Sequence, residues 1–180
     1  MSVDTEGFVK SYCLLFGADY PSLKSSTIQM QEQAARIGDR IMKTLRAKDH
    51  SQRPKVLVVG MGSDRGQSDL SHSPGKALAV HLLSEHDVYV EFADPLVERD
   101  AMSFIPQLED AMWGVEGLRT FDAILVAVDQ NGYDYTVLDQ LEREGKIIEW
   151  LCRRSSRLEV PKAMRRHSST HERNSSLSHQ

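Results

Sequence analysis

Two glycines that close an apolar run are the first residues in this chain whose types and spacing could do chemistry. Val56-Leu57-Val58-Val59 leads into Gly60-Met61-Gly62, and after a polar loop Ser73-Pro74 begins a second ordered stretch. Glycine lacks a Cβ, so the turn can be tight and another group can approach its backbone. Ser73 suits a helix N-cap and Pro74 the first helical position. A strand that ends in glycines and faces a helix N-terminus makes an anion site, because free N–H groups and the helix dipole point the same way. Lys76, in the first turn of that helix, is the nearest basic residue for a phosphate. The dinucleotide fingerprint G-x-G-x-x-G is not completed, since Arg65 stands where its third glycine would fall and the next glycine is Gly66. The same residues equally describe a sharp turn that binds nothing.

The other reactive side chains are scattered. Cys13 and Cys152 sit in no C-x-x-C pair and read as buried thiols. The 7 histidines show no metal-ligand spacing, and no residue takes a catalytic or metal role on this reading. Asp94, before Pro95 at the end of an apolar segment, is placed either to grip a ribose hydroxyl or to make an ordinary Asx turn. Asp129-Gln130-Asn131-Gly132 follows another apolar run, at the strand end where open parallel sheets put ligands.

Those residues need a scaffold, and 180 residues of which 40% are hydrophobic supply one ordinary domain with appendages. A net charge of -4 favours neither nucleic acid nor an acidic partner. No apolar run approaches the roughly 20 residues that span a membrane, and MSVDTEGFVK lacks the apolar core of a secretion signal, which leaves a cytoplasmic location. Residues 1–23 hold Tyr12-Cys13-Leu14-Leu15-Phe16, a short strand or an arm. From Ser25 or Ser26 to about Arg46, Ile28, Met30, Ala34, Ile37, Ile41 and Leu45 recur at helical spacing, so this helix must pack on the domain or on a second copy. Ala47 to Pro54 reads as a linker.

Strands and helices then alternate. A helix is expected from Ser73 to about Ser84, a strand from Asp87 to Ala93, a short strand from Phe104 to Leu108 interrupted by Pro106, and a helical piece from Glu109 through Trp113. A buried strand, Phe121 to Val128, precedes a helix from Tyr133 to Glu144 with Gly145 as its C′ residue, and Lys146 to Trp150 is the last strand. That alternation calls for right-handed crossovers and a parallel sheet covered by helices. Residues 155–180 are rich in serine, arginine and histidine with few apolar side chains, the pattern of a disordered basic tail.

The run VLVVGMG-x-x-x-GQSDLSHSP, followed by FADPLVE, FDAILVAV and GKIIEWLCRR, resembles the C-terminal domain of the UDP-glucose/GDP-mannose dehydrogenase family over about Pro54 to Arg154. YPSLKSSTIQMQEQAARIGDRIM is similar to that family's central dimerisation helix. The resemblance implies a Rossmann-like three-layer α/β domain over 53–154, preceded by an arm and long helix over 1–52. It also implies a homodimer through the Ser25–Arg46 helix, a UDP- or GDP-sugar as ligand and NAD as the family cofactor. Family members oxidise the C6 alcohol of a nucleotide sugar to a carboxylate through a catalytic cysteine.

The chain departs from that pattern at informative places. No strand-glycine-helix unit precedes Lys55, so a complete NAD-binding domain is missing from these residues. Lys10-Ser11-Tyr12 precede Cys13 where the family has glycines, and the place of the family cysteine falls near Glu6, which cannot attack as a thiolate does. In the loop, the family's lysine and arginine positions hold Asp64 and Ser71, with Arg65 one place off, while Asp69, Ser73 and Pro74 match. A carboxylate replacing a cation beside a diphosphate changes attraction into repulsion of about 1 kcal/mol per contact. The resemblance thus implies a nucleotide-sugar site at Gly60, Gly62, Asp69, Ser71, Ser73 and Lys76 in a chain with no dehydrogenase activity of its own. The alternative is a non-catalytic nucleotide-binding or dimerisation module.

Overall fold

The computed structural model describes residues 21–48 and 53–154, with side chains from residue 27 onward. The expected arm with Glu6 and Cys13, the middle of the linker and the 155–180 tail lie outside the described residues.

Helix α1, Pro21–Lys48, begins before the expected Ser25. Proline at a helix start has no N–H to leave unpaired and its φ is already helical. Its apolar stripe, Ala34, Ile41, Met42 and Leu45, is buried against α2, Pro74–Glu85, so the helix packs on its own domain. Ile28, nearer the start of the helix, stays 53% exposed.

Four strands, β1 (Lys55–Val59), β2 (Tyr89–Ala93), β3 (Ala123–Val126) and β4 (Ile147–Trp150), form one parallel sheet in the order β2-β1-β3-β4. The central strands β1 and β3 are buried on both faces, which is why their sequences read as unbroken apolar runs. Alternate residues serve opposite sides. Val56, Val58, Phe92 and Leu125 meet α1 and α2 on one face. Leu57, Val59, Ile124 and Val126 meet Leu118 of α3 (Val115–Leu118) and Leu138 and Leu141 of α4 (Thr136–Arg143) on the other. The result is a Rossmann-like three-layer α/β arrangement.

Phe104–Leu108 is not a strand. It touches the sheet through one bridge, Phe92 to Gln107, with the Phe92 N–H donating to Pro106 O at 2.9 Å and the Leu108 N–H to Phe92 O at 2.7 Å. Pro106 has no N–H with which to extend the ladder. The expected helix after it is a single 3-10 turn, Asp110–Met112. Gly145, at φ 87°, does close α4: its N–H reaches Glu142 O at 3.0 Å and that of Lys146 reaches Leu141 O at 3.0 Å, a Schellman ending. Among the described residues no helix is long and apolar enough to cross a membrane.

Candidate functional site

The loop that leaves β1 is folded back on the protein itself. Gly60 takes φ 81°, and a Cβ there would lie 2.0 Å from Val128 O. Its N–H donates to Ala93 O at 2.8 Å, while the N–H groups of Met61 and Gly62 donate to Asp94 Oδ2 at 2.7 and 3.1 Å. Asp94 Oδ1 accepts the Leu96 N–H at 2.8 Å, which completes an Asx turn. Gln130 fastens the far side, accepting from the Gly66 N–H at 2.7 Å and donating to Gln67 O at 2.8 Å. Ser73 Oγ donates to Met61 O at 2.6 Å and accepts the Lys76 N–H at 2.9 Å, capping α2 from within. The amides expected to cradle an anion therefore point inward. Gly60 and Gly62 serve close backbone packing, and Asp94 holds the turn.

The open volume lies one layer out. A cleft of about 600 Å³ runs between Thr27, Met30 and Gln31 of α1 and the start of α2, and Asp69, Ser71, Ser73 and Lys76 all line it. Of the six site residues expected from the sequence, these four gather there, whereas Gly60 and Gly62 lie beneath the loop. Asp69 Oδ1 accepts the Ser71 N–H at 2.9 Å. That bond, then the Ser71 hydroxyl, and then the charges of His72 and Lys76 hold the Asp69 carboxyl below the usual carboxylate range. His72 sits at φ 54°, a left-handed conformation uncommon outside glycine, and its Nδ1 lies 3.2 Å from Thr27 Oγ1 across the cleft. Lys76 is exposed. An ammonium, an exposed serine hydroxyl, a carboxylate and two histidines thus line this volume.

A smaller hollow of about 330 Å³ lies at the amino ends of the strands. Two of its polar groups are committed: Lys146 Nζ donates to Phe121 O at 2.6 Å, and Asp122 accepts the Lys55 N–H at 2.7 Å. On the other side of the sheet Cys152 donates weakly to Val126 O at 3.8 Å, and burial pushes its thiol above the usual range, the opposite of a reactive cysteine.

One cluster escaped the sequence reading. Asp39 of α1 meets His81 and His86 of α2 and its cap, partners 42 and 47 residues away along the chain. Linear spacing could not show it; the only local trace is Gly38, a glycine inside a helix.

No family model and no curated protein matches the chain. Solved structures that it is similar to include a UDP-glucose dehydrogenase from the hyperthermophilic archaeon Pyrobaculum islandicum, 22% identical over 67% of this chain and 29% of that one, with a TM-score of 0.46. The UDP-N-acetyl-mannosamine dehydrogenase of Staphylococcus aureus is 23% identical over 54% of this chain and 21% of its own, with a TM-score of 0.42. A UDP-D-ManNAc dehydrogenase from Pyrococcus horikoshii is 16% identical over 63% and 24%, again at 0.42. The chain spans 21 to 29% of the length of these proteins.

Proposed function

We propose that this chain is a binding module of the nucleotide-sugar dehydrogenase type, which takes the diphosphate of a UDP- or GDP-sugar in the cleft between α1 and α2. The carrying observation is that Asp69, Ser71, Ser73 and Lys76 line one cleft of about 600 Å³, a volume suited to such a ligand. The order of motifs from VLVVGMG to GKIIEW, on a parallel sheet preceded by a long helix, supports the same reading. Lys76 attracts the diphosphate. Ser73 fixes the start of α2, and Asp69 holds the loop through Ser71.

The residues do not fit NAD. The backbone N–H groups that would approach a pyrophosphate, those of Met61 and Gly62, are already bonded to Asp94. The proposed role is therefore to bind rather than to oxidise. Calorimetric titration with UDP, UDP-glucose and GDP-mannose tests it: saturable binding of at least one is expected, weakened about fivefold in Lys76→Ala, as the loss of roughly 1 kcal/mol of charge attraction requires. Absence of saturable heat with all three, or an unchanged affinity in Lys76→Ala, overturns the reading. Incubation with UDP-glucose and NAD is expected to yield no NADH above a Glu6→Ala, Cys13→Ala control.

A further inference from the structure

The seam between α1 and α2 carries a second constellation, one member of which, His81, also lines the cleft of about 600 Å³. Asp39 Oδ1 lies 2.9 Å from His81 Nε2 and 2.8 Å from His86 Nε2, and one ligand atom from each of the three residues lies within 4.8 Å of the others. The two imidazole rings stand edge to face, 5.6 Å apart at 78°, so both Nε2 atoms converge while the ring bodies do not collide.

Burial divides the three in a useful way. His81 and His86 are 19% and 12% exposed at the side chain, whereas Asp39 is 60% exposed. The rings are thus held by packing and the carboxylate forms the open door. Gly38 helps to seat one ring, because a Cβ at that position would come 2.9 Å from His81 Cδ2. A glycine within a helix costs about 1 kcal/mol of propensity relative to alanine, and here it makes room for an imidazole beside the helix backbone. His86 leaves the helix in extended conformation, φ -133° and ψ 147°, with its N–H still bonded to Leu82 O. That exit brings its ring alongside His81, which a continuing helix would not do at a separation of five residues.

We propose that Asp39, His81 and His86 form a site for a divalent transition metal, Zn²⁺ foremost, which ties the long helix α1 to α2. Two neutral imidazoles and a carboxylate are the donor set that Zn²⁺ accepts with a fourth position left to water. Tetrahedral Zn²⁺ with bonds of about 2.0–2.1 Å separates its ligand atoms by roughly 3.3 Å, so each observed N···O contact must open by about 0.4 Å. Rotation of the exposed Asp39 side chain supplies that movement without moving either helix. Each histidine would offer Nε2 as a neutral imidazole whose one ring proton is on Nδ1.

The test uses the full chain, stripped with a chelator and titrated with Zn²⁺ in competition with a chromophoric chelator, without nucleotide. The expected result is one Zn²⁺ taken up by the wild type that is lost, or weakened at least about tenfold, in Asp39→Asn and in His86→Gln. Both variants keep a hydrogen-bonding side chain at a surface or near-surface position, and circular dichroism verifies that they fold. The remaining histidines, including those in the tail, are present in all three proteins, so only the difference belongs to this site. Co²⁺ gives a second readout, the intense visible bands of a tetrahedral complex in the wild type and their disappearance in Asp39→Asn. Equal Zn²⁺ uptake by all three proteins, or Co²⁺ spectra that the substitutions leave unchanged, overturns the proposal.

Discussion

The carboxyl edge of the sheet and the seam between α1 and α2 meet at Ser73, yet they employ polar residues in opposite ways. At the edge, Asp94 is 0% exposed and Gln130 1%, and their polar atoms are bonded to backbone amides and carbonyls of the β1 loop. At the seam, Ser71, Lys76 and Asp39 are exposed, and the bonds run between side chains or face open volume. A buried polar group must be satisfied by the fold, and once satisfied it has no donor or acceptor left for a ligand. A strand's carboxyl end is therefore where a ligand is expected in this class of sheet, but here that place is filled by the protein's own carboxylate and amide. The open volume lies farther out, between the two helices.

The strongest attack on this comparison is Asp94→Ala. It strands the N–H groups of Met61, Gly62 and Leu96 without their acceptor, and a loss of about 3 kcal/mol is expected in urea unfolding. Near-wild-type stability would mean that the loop does not depend on its internal carboxylate. Gln130→Ala removes the acceptor of the Gly66 N–H and the donor to Gln67 O, whose own residues are exposed, for which about 1–2 kcal/mol is expected. Hydrogen exchange at Gly66 should quicken in the same variant. Lys76→Ala sharpens the contrast from the other side, since a change within about 0.5 kcal/mol in stability should accompany its loss of UDP affinity.

What was legible in the sequence was what local chemistry decides. Val56–Val59 announces a central parallel strand because both of its faces are covered, and Ser73-Pro74 announces a helix start because cap and first turn are neighbours in the chain. Phe104–Leu108 reads as a short strand interrupted by Pro106, and the interruption prevails: only one bridge to the sheet forms there. The inward turn of Met61 and Gly62 was not legible, because their acceptor lies 32 or 33 residues ahead and reaches them only through the pairing of β1 with β2. The same holds for Asp39, whose histidines depend on the docking of α1. Asp69, Ser71, Ser73 and Lys76 lie together because they share one loop and one helical turn, whereas the wall opposite them belongs to α1 and comes from tertiary packing.

The smallest expected effect concerns Asp69, the one carboxylate in the cleft wall. Its carboxyl is held below the usual range mainly by the Ser71 N–H and hydroxyl, which favour the charged form. A folded value lower than the unfolded one of about 3.9 means that the ionised carboxylate stabilises the native loop in full above that pH, and that the contribution fades as pH falls through the folded value. Asp69→Asn keeps an oxygen to accept the Ser71 N–H but has nothing to titrate. The stability gap between wild type and Asp69→Asn should therefore be widest near neutral pH and shrink toward pH of about 2.5, while the other acids titrate in both proteins and cancel. Urea midpoints of the pair at the two pH values measure this, with a change smaller than that in Gln130→Ala because Asp69 is exposed and screened by water. A gap that stays constant with pH would show that Ser71 does not discriminate between the charged and neutral carboxyl, and the cleft wall would then be shaped by the strained turn at His72 instead.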